Sequence, residues 1–364
     1  MDEQIFAVQE FGGISRMFTE LAEQFIADPS LDVDLHPIDA PVANHYLLDD
    51  VALAKALKAR PARGHFSALG HYFAQSRLRA DIDLVHSTFY LPRGLWDYPG
   101  VPKVMTVHDL IPELLEKNRR RLDVLTMKSR YVRKVDHIIC VSESTKRDLL
   151  KVYGQIEAPI SVVHHGVDAV FRPDVPPVPG FPEQYVIFVG NRSGYKDAAV
   201  LQRAFATMRH DAPGLELVFV GGGPLSGREK RALDRLGILG LTRQVRLSEG
   251  QMPSAYAHAA MCVFSSQYEG FGLPALEAMA CGTPLILAES SSLPEVGGDA
   301  ARYFPPGDGN ALAQEMRIVL ADESERARLR TLGLARAAEF SWGRSARQTA
   351  DVYARTIEAF TGSR

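Results

Sequence analysis

The chain has 364 residues, enough for about two domains at roughly 150 residues each, and 46% hydrophobic with 23% charged residues excludes wholesale disorder. Lys and Arg total 41 against 44 Asp and Glu, a net charge of -3 that excludes a general nucleic-acid binder and leaves any basic surface local. Three scattered cysteines make neither a disulfide framework nor a zinc cluster, and neither a spanning apolar run nor a leader-like start is seen, so the expectation is a reduced, cytoplasmic protein with no spanning helix.

Residues 1–50 hold one basic residue, Arg16, against 11 acidic, a net of -10, whereas residues 51–134 hold 16 basic against seven acidic, a net of +9. Short apolar runs then alternate with helical patterns: Asp83–His86, Lys103–Val107, His137–Val141 and Ile160–Val163 read as buried strands of a parallel sheet. Four prolines in Phe171–Gly180 interrupt the pattern and read as a linker. A second alternation follows, with strands at Tyr185–Val189, Leu215–Val220, Gln244–Leu247, Met261–Phe264 and Pro284–Ala288. The fold class is therefore α/β, two tandem doubly wound domains. Domain boundaries are expected at 1–172 and 173–341, with a terminal helical pattern over 342–364 returning to the first domain.

The richest motif is Tyr268-Glu-Gly-Phe-Gly-Leu-Pro-Ala-Leu-Glu-Ala-Met-Ala-Cys-Gly282. A strand ends near Ser265, a glycine-rich loop follows, Pro274 sits where the first helical residues tolerate a missing N–H, and Gly282 closes a short helix. Such a loop offers backbone N–H groups and the positive end of a helix dipole to a phosphate. Gly270 and Gly272 allow close approach of the backbone. Glu269 and Glu277 flank the turn eight positions apart and are expected on the ligand side of one crevice. The plain alternative is a tight turn with Glu277 merely complementing the dipole.

The motif resembles the Glu-x7-Glu donor signature of retaining glycosyltransferases with the GT-B fold, glycosyltransferase family 4 (glycosyl transferases group 1). Ser291–Ala300 is similar to that family's next segment. Phe11-Gly-Gly-Ile-Ser-Arg16, Val107-His-Asp-Leu-Ile-Pro112, Val141–Lys146, His165-Gly-Val-Asp168, Val189-Gly-Asn-Arg192 with Lys196, and Phe340-Ser-Trp342 also match, in order, over nearly the whole chain. The resemblance implies two Rossmann-like domains facing an interdomain cleft, the first binding acceptor and the second a nucleotide diphosphate-sugar. Against the apolar first strand usual in that family, Ile5-Phe-Ala-Val8 is expected to be a shortened strand, or the start lies a few residues late.

Roles carry over residue by residue. Arg192 and Lys196 are expected to stabilise the pyrophosphate charge that grows as the glycosidic bond breaks, unless they are a solvated basic face; Asp197 stands where relatives commonly have Asn. Glu277 is assigned to the ribose hydroxyls, two of which an ionised carboxylate can accept from. Glu269 is placed near the sugar ring, with the N–H groups of Phe271, Gly272 and Leu273 facing phosphate or sugar. Gly12 and Gly13 are expected to bring backbone N–H groups to the leaving phosphate on domain closure. His108 is either a contact to the donor sugar near its anomeric carbon or a satisfied polar residue, and Asp109 fixes its loop. Ser142 and Thr145 read as helix capping residues and His165 as structural. No metal and no cofactor are expected: Asp32-Val-Asp34 and Asp81-Ile-Asp83 have a chelating spacing, but Asp81 and Asp83 precede a strand instead of following it.

The expected function is a metal-independent, retaining hexosyltransferase that moves mannose, from GDP-mannose in preference to other donors, to a saccharide or lipid-linked acceptor in surface-polysaccharide assembly. The alternatives are a nucleotide-sugar epimerase or hydrolase on the same fold and a non-catalytic nucleotide-sugar-binding protein; acceptor-dependent turnover separates them. A basic segment with Lys117, Arg119, Arg120, Arg121, Lys128, Arg130, Arg133 and Lys134, interleaved with Leu122, Leu125, Met127 and Tyr131, is a candidate surface for anionic membrane lipid. Its alternative is a solvated basic helix whose apolar residues face the domain core.

Overall fold

The computed structural model describes residues 1–38, 41–62, 81–91, 95–96, 98–115 and 122–362, the side chains of 122–125 excepted. The chain divides into two compact units, Met1–Gly166 together with Trp342–Arg364, and Val167–Ser341. The expected boundary at 172/173 falls a little inside the second unit. There the Val167 amide already donates to Phe340 O and Phe171 packs on Tyr256.

In the first unit the chain runs α1 (Gln4–Val8), α2 (Gly13–Ala27), β1 (Pro41–Val42), α3 (His45–Asp49), α4 (Val51–Ala56), β2 (Arg60–Pro61), β3 (Val85–Ser87), β4 (Lys103–Val107), α5 (Ile111–Leu114), α6 (Leu122–Val132), β5 (His137–Cys140), α7 (Glu143–Tyr153) and β6 (Ile160–Val162). β3-β4-β5-β6 form an all-parallel sheet and β1 pairs with β2. Val104, Met105, Val107, Ile138, Ile139 and Cys140 are buried, as expected of strands covered on both faces. Residues 5–8 are the exception to the expected strand pattern, because they are helical. Side chains hold that segment at the end of β3: the Thr88 amide donates to Asp2 Oδ1, the Leu91 amide to Gln4 Oε1, and the Ile5 amide to Thr88 Oγ1, so Ile5 has no ladder carbonyl to pair with.

α2 buries Met17, Phe18, Leu21, Ala22 and Phe25 at helical spacing. Against it lies α15 (Trp342–Gly362), the last element of the chain, which buries Ala346, Thr349, Val352 and Tyr353. The Tyr353 hydroxyl is 2.6 Å from His86 Nδ1, and His86 Nε2 is 2.9 Å from Thr106 Oγ1. Burial holds this imidazole neutral, well below the ordinary histidine pKa.

α6 overturns part of the lipid-surface expectation. Met127, Tyr131 and Val132 are buried, and so is Lys128, while Arg130, Arg133 and Lys134 are exposed. The apolar side chains described on this helix serve the domain core, the alternative named above. Lys117, Arg119, Arg120 and Arg121 lie outside the described residues.

The second unit runs β7 (Tyr185–Val189), α8 (Ala198–Met208), β8 (Glu216–Val220), α9 (Gly227–Arg235), β9 (Thr242–Val245), α10 (Met252–Ala257), β10 (Met261–Phe264), α11 (Leu273–Ala280), β11 (Leu285–Ala288), α12 (Leu293–Gly297), β12 (Ala301–Phe304), α13 (Gly309–Ala321) and α14 (Glu323–Ala337). Its sheet is parallel throughout, in the order β12-β11-β10-β7-β8-β9. β9 begins two residues ahead of the expected run, since Thr242 pairs with Leu217. β12 escapes an apolar-run criterion because Arg302 and Tyr303 interrupt it.

The three thiols are buried. Burial pushes Cys140 and Cys281 up to about 12, and burial followed by the Glu277 charge raises Cys262 well above the ordinary thiol value.

Both tryptophans of the chain, Trp96 and Trp342, belong to the first unit, so their fluorescence reports its unfolding. Tyr353→Phe leaves His86 Nδ1 buried without a partner and is expected to cost about 1–3 kcal/mol. In urea the fluorescence midpoint falls with an unchanged slope; a parental midpoint means that the bond contributes nothing net.

Candidate active site

In the second unit β7 is first in the chain yet central in the sheet, so the chain leaves it toward β8 on one side and reaches β10 on the other. Such a switch point opens a crevice beyond the carboxyl ends of the two strands. Two loops meet there. After β7 come Gly190, at φ 119°, then Arg192 and a turn through Lys196 to Asp197. After β10 come Ser265 and the 268–272 loop into α11.

Asp197 takes the left-handed conformation, φ 46° and ψ 47°. Asp and Asn are among the few side chains that tolerate it, so the Asp197-for-Asn departure keeps the backbone that the position requires. Ser265 Oγ lies 3.1 and 2.9 Å from the carbonyls of Lys196 and Asp197, and the Gln267 amide donates to Tyr195 O at 2.7 Å. These bonds tie the two loops together.

The tie places Lys196 Nζ 2.7 Å from Glu269 Oε1, both side chains being largely buried. Burial disfavours the ammonium, but the Glu269 carboxylate outweighs it and raises the Lys196 pKa above the ordinary lysine value. Glu269 is held from behind: its amide donates to Ser291 Oγ, and Ser292 Oγ donates to the carbonyls of Glu269 and Phe271. Ser291 and Ser292, after β11, are site-building residues that sequence reasoning placed only within a family-like segment. The signal available was the Ser-Ser pair itself, short hydroxyls at a strand end.

Gly272 caps α11 at φ 106°, where an added Cβ would lie 3.2 Å from Leu293 Cδ2. Among the described residues no protein acceptor is found for the amides of Gly272 and Leu273, the open donors of a helix start. Pro274 is the second helical residue, and Glu277 stands in the second turn rather than the first. Glu277 is mostly buried and accepts a hydrogen bond from the Tyr256 hydroxyl at 3.2 Å. Gly282, at φ 71°, ends the helix as expected.

Arg192 is arranged differently from Lys196. Its Nε donates to Glu229 at 2.7 Å, and its two terminal nitrogens donate to the carbonyls of Gly221, Gly222, Gly223 and Pro224. It thus fills the turn after β8, its Nε and both terminal nitrogens each donating to a protein acceptor. Glu229, missed in the sequence, is its counter-ion. Although burial raises the Glu229 pKa, the bonds from Arg192 and Ser226 lower it to about 2.

In the first unit His108 follows β4 and is 8% exposed, and its buried Nε2 has no hydrogen-bond partner among the described residues. Burial, then His165, His86 and Lys128, hold it well below the ordinary histidine pKa, so the ring is neutral at pH 7. Phe18 packs edge-on against it at 5.9 Å. Gly12 and Gly13 start α2, where the Ser15 amide donates to Gln9 Oε1 at 3.0 Å, a cap that sequence reasoning did not single out. Asp109 Oδ1 accepts from the Ile111 amide, fixing its loop, and Ser142 caps α7 through the Thr145 amide.

A parallel sheet in this strand order, with a glycine turn feeding a helix at its switch point, is a Rossmann-like unit of the kind from which GT-B glycosyltransferases are built. The profile described as Glycosyltransferase Family 4 matches residues 11–171, and that described as Glycosyl transferases group 1 matches residues 176–334. The MMP alpha-(1->4)-mannosyltransferase of Mycolicibacterium hassiacum is 31% identical over 300 residues, covering 77% of this chain and 72% of that protein. O-antigen chain mannosyltransferase B of Escherichia coli is 44% identical over 102 residues, 28% of this chain and 27% of that one. Among solved structures, sucrose-phosphate synthase from Thermosynechococcus elongatus superposes with a TM-score of 0.71 at 22% identity, over 96% of this chain and 94% of that one. The chain belongs to glycosyltransferase family 4 and is mannosyltransferase-like.

Glu229 gains stability from a carboxylate whose pKa is depressed on folding, so that contribution is present above the unfolded value of about 4.3 and is lost as pH falls through about 2. The melting temperatures of parent and Glu229→Gln are therefore expected to differ most above pH 4 and to converge below pH 3. A difference independent of pH would show that the Arg192 bond draws nothing from the Glu229 charge.

Proposed function

We propose that this glycosyltransferase moves mannose from GDP-mannose to a hydroxyl of a saccharide or lipid-linked acceptor, with retention at the anomeric carbon and without a metal ion, in surface-polysaccharide assembly. The observation that carries the reading is the Lys196–Glu269 pair beside the open amides of Gly272 and Leu273. A pyrophosphate seated there meets two amide donors and one fixed cation. As the glycosidic bond lengthens, negative charge accumulates on the leaving phosphate and Lys196 stabilises it. Glu269, already hydrogen-bonded through its Oε1, orients the lysine and accepts from a sugar hydroxyl. Glu277 accepts from the ribose. Arg192, which also holds the Gly221–Pro224 turn, adds a second fixed positive charge on the pyrophosphate side. His108, neutral and with an unfilled Nε2, is suited to hydrogen-bond a sugar hydroxyl without adding charge near an oxocarbenium-like carbon. The acceptor attacks from the face that the phosphate leaves, with the departing phosphate oxygen taking its proton.

The preference for mannose rests on the relatives named above, two mannosyltransferases among them. A thermal-shift panel of GDP, UDP, dTDP and ADP tests the base: GDP is expected to raise the melting temperature most, by mass action, and a larger shift with another nucleotide overturns the GDP assignment. Retention is read from the anomeric proton coupling of the first-formed product.

Lys196→Ala is expected to lower kcat at saturating donor by the equivalent of about 2–4 kcal/mol. Glu277→Ala is expected chiefly to weaken nucleotide affinity in calorimetry, and Glu269→Ala chiefly to slow turnover. A Lys196→Ala enzyme turning over at the parental rate would remove the lysine from the leaving-group role.

Arg130, Arg133 and Lys134 are exposed, so an electrostatic contact with anionic lipid is the part of the membrane reading retained here. At about 1 kcal/mol for each basic residue near such a surface, cosedimentation with anionic vesicles is expected at low salt and is lost at high salt. Neutralising these three residues is expected to weaken it; binding that survives in full places the contact elsewhere.

A further inference from the structure

The first unit contains a buried ion pair that the proposed reaction does not use. Lys128, on α6, is 3% exposed, and its Nζ lies 2.9 Å from Glu113 Oε1 on α5. The same nitrogen donates to the backbone carbonyl of Asp109 at 2.6 Å and sits 5.5 Å from the centre of the Tyr90 ring. Glu113 Oε1 also accepts from the Tyr153 hydroxyl of α7 at 2.9 Å. Tyr90 in turn donates to the carbonyl of Thr106, on the strand that ends beside His108. Four elements of the chain thus converge on the peptide that follows His108.

A buried ion pair is a poor device for stability, because desolvation of two charges offsets most of their attraction, and an apolar replacement is often as stable. Geometry is what such a pair supplies. With two carboxylate-side and carbonyl bonds fixed, the ammonium holds the Asp109 carbonyl in one orientation, while Asp109 Oδ1 accepting from the Ile111 amide holds the other side of the same turn. The His108 ring, against Phe18, then has little freedom, and its Nε2 is left as the open position.

We propose that Lys128 and Glu113 are positioning residues for His108, fixing through the Asp109 carbonyl the turn that presents its imidazole. The inference rests on the reading of His108 as a contact to the donor sugar. Lys128 has a second effect of the same sense. Its positive charge, together with those that His86 from β3 and His165 would acquire on protonation, opposes protonation of the buried imidazole. Removing the lysine charge therefore raises the His108 pKa toward its ordinary value.

The experiment uses the full chain with isotope-labelled histidine, the His108 resonance being assigned through His108→Gln. Lys128→Met keeps an unbranched apolar stem one atom shorter and removes the charge. It is expected to move the His108 titration upward and to cut kcat ten- to a hundredfold, the scale of a misplaced group, with nucleotide diphosphate affinity unchanged. Lys128→Met combined with Glu113→Gln is expected to lose no more than the more damaging of the two alone, as residues acting as one unit do. A folded Lys128→Met protein with parental kcat and a parental His108 titration overturns the proposal, and so does a loss of nucleotide affinity as large as the loss of kcat. Where Lys128→Met does not fold, Tyr153→Phe removes a single bond to Glu113 while keeping the Lys128 charge, and is expected to lower kcat with nucleotide diphosphate affinity unchanged; a parental kcat in that variant overturns the proposal. Parental turnover in His108→Gln would sink the sugar-contact reading of His108 itself, whereas the titration of His108 in Lys128→Met still decides whether the lysine acts on it.

Discussion

The position of β7 governs the second unit. It is the first strand of its unit in chain order and the fourth in the sheet, paired on both sides with parallel strands. Crossovers between parallel strands are right-handed, so the helices that follow β7 and β10 leave to opposite faces and their loops part. Everything assigned to the donor side occupies that parting. The glycine at 190 turns the chain away from the sheet, Asp197 reverses it at a positive φ, and Ser265 holds the reversal against the end of β10. A hydroxyl donating to two carbonyls is a small device, but it converts two independently mobile loops into one surface on which a lysine and a glutamate are held within hydrogen-bonding distance.

Among the described residues, Arg192, Lys128 and Lys196 are cations drawn largely out of bulk solvent, and their partners differ. Arg192 is surrounded by backbone carbonyls and one carboxylate, which match its planar array of donors; it shapes a turn. Lys128 divides its bonds between a carbonyl and Glu113 in a deeply buried place and shapes another. Lys196 meets a single carboxylate at the rim of the crevice. A compact ammonium bonded to one carboxylate has further N–H groups, whereas the planar guanidinium of Arg192 is spread over the turn that it shapes.

Much of this was legible in the sequence because it depends on local rules. Both sheets, the strand ends that carry His108 and Ser265, the helix closed by Gly282 and the cap at Ser142 follow from apolar runs and from residue types with special backbone or capping properties. What escaped depends on partners far away in the chain. Residues 5–8 have the composition of a strand, yet the hydroxyl of Thr88 and the carboxylate of Asp2 hold them helical. Lys128 looks like one more charge in a basic stretch until Glu113, fifteen positions earlier, is folded against it. Arg192 matched a family motif, but only the carbonyls of residues 221–224 reveal how its donors are spent. Helical spacing on α6 identified an amphipathic element without telling which side the core would claim.

The three cysteines carry a practical consequence. A thiol reacts as its thiolate, and each of these is buried with its pKa pushed far above neutrality. Toward alkylating reagents the folded chain therefore behaves as though it had no cysteine at all. A pair of engineered surface thiols can therefore be labelled with fluorophores while the native cysteines stay in place.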